Sequence, residues 1–221
     1  MIRLNITAEG YSEERFVTDM LRPHLLNFNV YAEVRKVLTS RKLRKRGGIV
    51  TYDKFKWDIS QWFKECPDVY HTTLIDLYGL SADFPGYTSS QNLMPYERIN
   101  EMERLLKDDL KFHKFIPYIQ LHEYETLLFS DTQVMENWLG LYNKIGKNAF
   151  TNIKKSVPDA NPELINERPE LAPSKRILSI CDAYDKVDDG ILILQEIGIN
   201  KIRSECKHFN EWLTSLESLG K

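Results

Sequence analysis

Between residues 2 and 122 the hydrophobic period of the chain switches repeatedly from about two residues to about 3.6 and back. Residues 2–7 alternate, with Ile2, Leu4 and Ile6 on one side, a strand signal. Gly10 permits a tight turn, and Ser12 is placed to cap a helix whose stripe runs through Phe16, Val17, Met20, Leu21 and Leu25 until Pro23 disturbs it. Residues 30–38 alternate again. Residues 52–65 carry Phe55, Ile59, Trp62 and Phe63 at helical spacing, and residues 69–75 form a third strand that stops at Asp76. A long Gly- and Pro-containing loop leads to a charged helix over 96–110, and residues 115–122 supply a fourth strand. Helix-length crossovers between successive strands predict an α/β fold, a four-stranded, mostly parallel sheet flanked by helices. Beyond residue 126 the strand signal fades. Helical patterns over 132–139, 175–184, 187–196 and 204–219 predict a helical C-terminal extension. The expected organisation is an α/β core over 1–131 and a helical part over 132–221 packed on it as one compact unit.

Composition excludes several classes. With 42% hydrophobic and 28% charged residues the chain is neither disordered nor low in complexity. A formal net charge of −2 excludes a generally basic nucleic-acid coat, so any such contact must be a local patch. Cys66, Cys181 and Cys206 lack zinc or redox spacing and read as reduced thiols. The first residues lack a signal-peptide pattern, and no apolar run approaches the ~20 residues of a membrane span. The expectation is a cytoplasmic protein with no membrane partner. Neither a Walker-type nor a Gly-x-Gly-x-x-Gly loop occurs, which argues against ATP hydrolysis by this chain.

Acidic residues fall just past three predicted strands: Glu9 after the first, Asp76 after the third, Glu123 and Glu125 after the fourth. In an open parallel sheet these ends share the edge where ligands bind. Gathered carboxylates repel unless a cation sits among them, and oxygen-only donors suit Mg²⁺ or Mn²⁺. Glu13, one turn after Glu9, joins this group. Each acid taken singly is as well explained as a solvated loop residue or helix cap; their recurrence at strand ends is what points to a metal. Residues 35–46 carry seven basic and no acidic side chains, among them Arg41, Lys42, Arg44, Lys45 and Arg46, and Gly47-Gly48 follows. Such a run is either a flap that draws a nucleic-acid backbone to the acidic edge or a solvated loop.

The segments Ala8-Glu9-Gly10-Tyr11-Ser12-Glu13, Ile75-Asp76-Leu77-Tyr78-Gly79-Leu80, Asp83-Phe84-Pro85-Gly86, His122-Glu123-Tyr124-Glu125-Thr126-Leu127-Leu128-Phe129 and Ala172-Pro173-Ser174-Lys175-Arg176 occur in this order. With a closing Ile202-Arg203-x-x-Cys206, Phe209 and Trp212-Leu213, they resemble the Toprim-like domain-of-unknown-function family 4276. That family is related to the Toprim nuclease domain of overcoming-lysogenization-defect proteins. The resemblance spans nearly the whole chain and implies a Toprim/Rossmann-like fold. It also implies a metal site from Glu9, Glu13, Asp76 and an acid of the Glu123/Glu125 pair, and an ABC-type ATPase partner in bacterial defence against phage or plasmids. One departure stands out: Toprim sequences carry Asp-x-Asp at the third strand end, whereas this chain reads Asp76-Leu77-Tyr78, so a second metal depends on Asp83 or Glu125 swinging in.

The chemistry implied is phosphodiester hydrolysis, with nucleic acid (DNA rather than RNA) as substrate and with Glu9, Asp76 and Lys175 as catalytic residues. Lys175, at a predicted helix start beside Arg176, would answer the charge building on the phosphate, and Arg176 would add a backbone contact. The alternative is a Toprim-like module, degenerate at Tyr78, that binds nucleic acid or the ATPase without cutting. A small-nucleotide hydrolase or ligase is a third possibility.

Overall fold

The computed structural model describes residues 1–40, 45–46, 51–165 and 169–221. Two compact units make up the chain, Met1–Gln120 together with Ser215–Lys221, and Leu121–Thr214.

The first unit is built on a sheet of strands β1 (Ile2–Ala8), β2 (Val30–Lys36), β5 (Tyr70–Asp76), β6 (Phe115–Ile116) and β7 (Ile119–Gln120), and every pairing among them is parallel. Their order is β2-β1-β5-β6, with β7 also pairing β5. Leu4, Ile6 and Ala8 lie on one side of β1, Asn5 and Thr7 on the other, and all five are buried. Both faces are therefore covered, as a parallel sheet requires. Between β2 and β5 come a short antiparallel hairpin, β3 (Leu38–Ser40) with β4 (Lys45–Arg46), and helix α3 (Tyr52–Glu65). Helix α4 (Pro95–Leu110) precedes β6 and buries Ile99, Met102 and Leu106.

Pro23 disturbs the first helix without ending it: α1 (Tyr11–Phe16) runs through a π-helical turn (Val17–Leu21) into α2 (Arg22–Leu26). Proline offers no N–H, and the widened turn ahead of it accommodates the loss. The predicted fourth strand is two short pieces, because Pro117 interrupts the ladder. Thr73 fills the gap from β5, its hydroxyl donating to Tyr118 O (2.8 Å) and accepting from Tyr118 N (2.9 Å). His122 consequently lies outside any strand, in a left-handed turn at φ 67° that redirects the chain.

In the second unit a run of 3₁₀ turns, Tyr124–Ser130, is completely buried. Helices α5 (Thr132–Gly140), α7 (Pro173–Ile180), α8 (Asp188–Ile197) and α9 (Ile199–Glu205) pack around it. Helix α6 (Ala149–Lys155), which the sequence reading did not contain, packs on α5. Helix α10 (Lys207–Ser218) closes the unit and carries the chain back to the first. Among the described residues no helix is long and apolar enough to cross a membrane.

Candidate functional site

Strands β1 and β5 are neighbours in register, Ala8 opposite Leu74, so Glu9 and Asp76 emerge side by side at the carboxyl edge of the sheet. The backbone fixes both: Glu9 N donates to Leu74 O (3.1 Å), and Asp76 N donates to Glu9 Oε2 (3.0 Å). Glu13, in the first turn of α1, accepts from Gly10 N through Oε2 (2.8 Å). Glu13 and Asp76 are buried.

Gly79 makes this packing possible, since a Cβ there would stand 2.5 Å from Glu9 Oε1. The obstructing atom ends a flexible side chain, so Gly79→Ala should change the melting temperature little while pushing the Glu9 carboxylate off the Asp76 N–H. The expected result is loss of any Mn²⁺-induced rise in melting temperature, read by scanning fluorimetry; an unchanged metal response would show that the placement of Glu9 is immaterial.

Lys36 ends β2 opposite Ala8, one strand over. Its ammonium pairs with Glu14 and sits 3.8 Å from the centroid of the Tyr11 ring. Asp83 does not join the strand-end acids. It accepts from the Ser81 hydroxyl and from Tyr52 N (3.0 Å), and so caps the start of α3. These bonds, the Ser81 one foremost, hold its carboxyl below the usual range. Tyr78, where Toprim sequences place their second Asp, is 42% exposed.

In the second unit Glu123 Oε2 accepts from Ser174 N (2.9 Å), which ties it to the first turn of α7. Glu125 is completely buried and lies 3.0 Å from Lys186 Nζ. Burial pushes its carboxyl up to about 7; Lys186 pulls it down and the charge of Glu123 pushes it further up. Lys175 is exposed on α7, and Arg176 Nε donates to Leu171 O (2.7 Å). Of the predicted basic flap, Arg41, Lys42 and Arg44 lie outside the described residues, and Lys45 and Arg46 form β4.

Among the described residues, no three His, Cys, Asp or Glu side chains gather closely enough to hold a metal ion. The donor set of Glu9, Glu13 and Asp76 nevertheless suits a hard divalent cation: all oxygen, two of the carboxylates oriented by backbone N–H groups, and Glu9 seated where glycine alone leaves room. Sequence reasoning missed the roles of Lys36 and Lys186. Lys36 was legible only as one of seven basic residues, because the alternation runs on to residue 38 and hides the strand end at Lys36.

The family described as Domain of unknown function (DUF4276) matches residues 8–217. Over 100% of both chains, the fold is similar to the C-terminal region of the Burkholderia pseudomallei OLD protein, at 11% sequence identity and a TM-score of 0.50. No curated protein matches the chain.

Proposed function

The chain belongs to the DUF4276 family, and from that premise we propose that it is a Mg²⁺- or Mn²⁺-dependent, Toprim-type nuclease that hydrolyses phosphodiesters. The observation that carries this reading is the seating of Glu9 and Asp76 side by side at the carboxyl edge of a parallel sheet, Glu9 held by the Asp76 N–H. Glu9, Asp76 and Glu13 would hold the cation, which when bound lowers the pKa of a water and neutralises charge on the phosphate. The protein's own contribution is orientation: the Leu74 carbonyl and the Asp76 and Gly10 N–H groups fix where Glu9 and Glu13 stand before any ligand arrives.

Glu123, Glu125 and Lys175, in the second unit, are carried in this proposal by the family resemblance. So are the basic residues Arg41, Lys42, Arg44, Lys45, Arg46 and Arg176 as contacts to DNA. The same resemblance supports a cytoplasmic effector of an ABC-type ATPase in bacterial defence. A second reading rests on Tyr78: with no second Asp there, and with Asp83 engaged at α3, the fold would bind nucleic acid or the ATPase without cutting.

Plasmid nicking in Mg²⁺, Mn²⁺ and EDTA, with and without the ATPase, separates the two readings. Cleavage should require the metal and vanish in Asp76→Asn. Saturating Mn²⁺ should raise the melting temperature by roughly 5–10 °C in the unmodified protein and far less in Asp76→Asn. Absence of cleavage under every condition would retire the enzyme and leave the binding module.

A further inference from the structure

We propose that Tyr11 and Tyr78 are stacking surfaces for unpaired nucleobases, so that the site at Glu9 and Asp76 receives single-stranded or locally unwound nucleic acid rather than intact duplex. The inference rests on the reading above for the class of ligand and adds its form.

Among the described Phe, Tyr and Trp side chains of the first unit, only Tyr11 and Tyr78 are largely exposed, at 62% and 42%. Both neighbour Glu9 through the backbone. Tyr11 follows Glu9 by two residues, and Tyr78 precedes Gly79, whose backbone lies against the Glu9 carboxylate. The Tyr11 ring is also held in advance: Lys36, buried and paired with Glu14, places its ammonium 3.8 Å from one side of the ring. A ring fixed on one face offers the other at low entropic cost. Bases in a duplex hide their faces in the stack, whereas unpaired bases present them, and aromatic side chains at an anionic-ligand site recognise them without sequence preference.

The test is fluorescence anisotropy with a short labelled oligodeoxynucleotide, single-stranded or folded as a hairpin duplex. It is run in Ca²⁺ and in EDTA, with the length of the strand checked on a gel after each titration. The unmodified protein should bind the single strand more tightly. Tyr11→Ala and Tyr78→Ala should each weaken that binding by about fivefold to a hundredfold and leave duplex binding and the melting temperature alone. Tyr11→Phe and Tyr78→Phe, which keep the ring, should restore it, and quenching of a 2-aminopurine base in the strand should follow the same order. Duplex binding as tight as single-strand binding, no binding of either, or Ala variants that bind like the unmodified protein would overturn the inference. Stacking without cleavage would sink the nuclease reading alone; cleavage with single-strand binding insensitive to both Ala changes would sink this one alone.

Discussion

Glu163→Ala should lower the thermal midpoint by roughly 5–15 °C, the largest effect expected of any single substitution described for this protein. Glu163 sits in the 3₁₀ turn Pro162–Leu164 and is completely buried. Its two oxygens accept from His208 N and Phe209 N, both at 3.0 Å, in the first turn of α10. The opening N–H groups of a helix have no partner within the helix, and here a carboxylate from elsewhere in the second unit supplies it, with the helix dipole favouring the negative charge. Removing the carboxylate leaves two buried donors to be desolvated unmatched, about 2–5 kcal/mol together. Glu163→Gln keeps one acceptor oxygen and should fall about midway. A melting temperature within a degree or so of the unmodified protein for Glu163→Ala would show that water replaces the carboxylate at no cost.

In EDTA, the stability of the second unit should fall as pH rises from about 4.5 to about 7, because Glu125 holds its proton more tightly when folded. Its folded pKa, about 7, lies above the ordinary 4.5, so ionisation is costlier in the buried site than in the unfolded chain. The contribution is full below the unfolded value and is lost as pH passes through the folded one. A shift of this size is worth about 3 kcal/mol. Glu125→Gln should therefore melt with the unmodified protein near pH 4 and above it by about 5 °C near pH 8. His71 acts in the opposite direction over the same interval. Buried in the first unit, it has its pKa lowered from 6.5 to about 4, chiefly by desolvation, so its contribution is present above 6.5 and lost as pH falls toward 4. Equal pH profiles for Glu125→Gln and the unmodified protein would mean that Lys186, 3.0 Å away, compensates the buried charge.

The parallel sheet was legible because its signals are local. Alternation at Ile2, Leu4 and Ile6, and the helical stripe Phe55, Ile59, Trp62, Phe63, survive into β1 and into α3, whose bounds match the sequence reading. What the sequence hid was contact between distant segments. Nothing near Thr73 announces that its hydroxyl replaces ladder bonds beyond Pro117, and nothing near Glu163 announces α10. The strand-end rule placed Glu9 and Asp76 as neighbours because β1 and β5 are adjacent in the sheet. It could not tell that Asp83 would cap α3, since the bond to Tyr52 N joins residues 31 positions apart.

The return of residues Ser215–Lys221 to the first unit has a consequence for synthesis. His24 Nε2 meets Glu217 Oε1 at 2.7 Å across 193 positions of sequence, and Gly220 lies so close to Phe28 O that a Cβ would stand 1.8 Å from it. A chain emerging from the ribosome holds every strand of the sheet long before it holds Glu217. The first unit must wait, incomplete along α2, while the whole second unit is translated. Closing a loop of this length rather than one of about 20 residues adds only about 2 kcal/mol of entropy, so the delay is one of order and not of affordability. The exposure of α2 during that interval makes the nascent chain, rather than the finished protein, the species most in need of a chaperone.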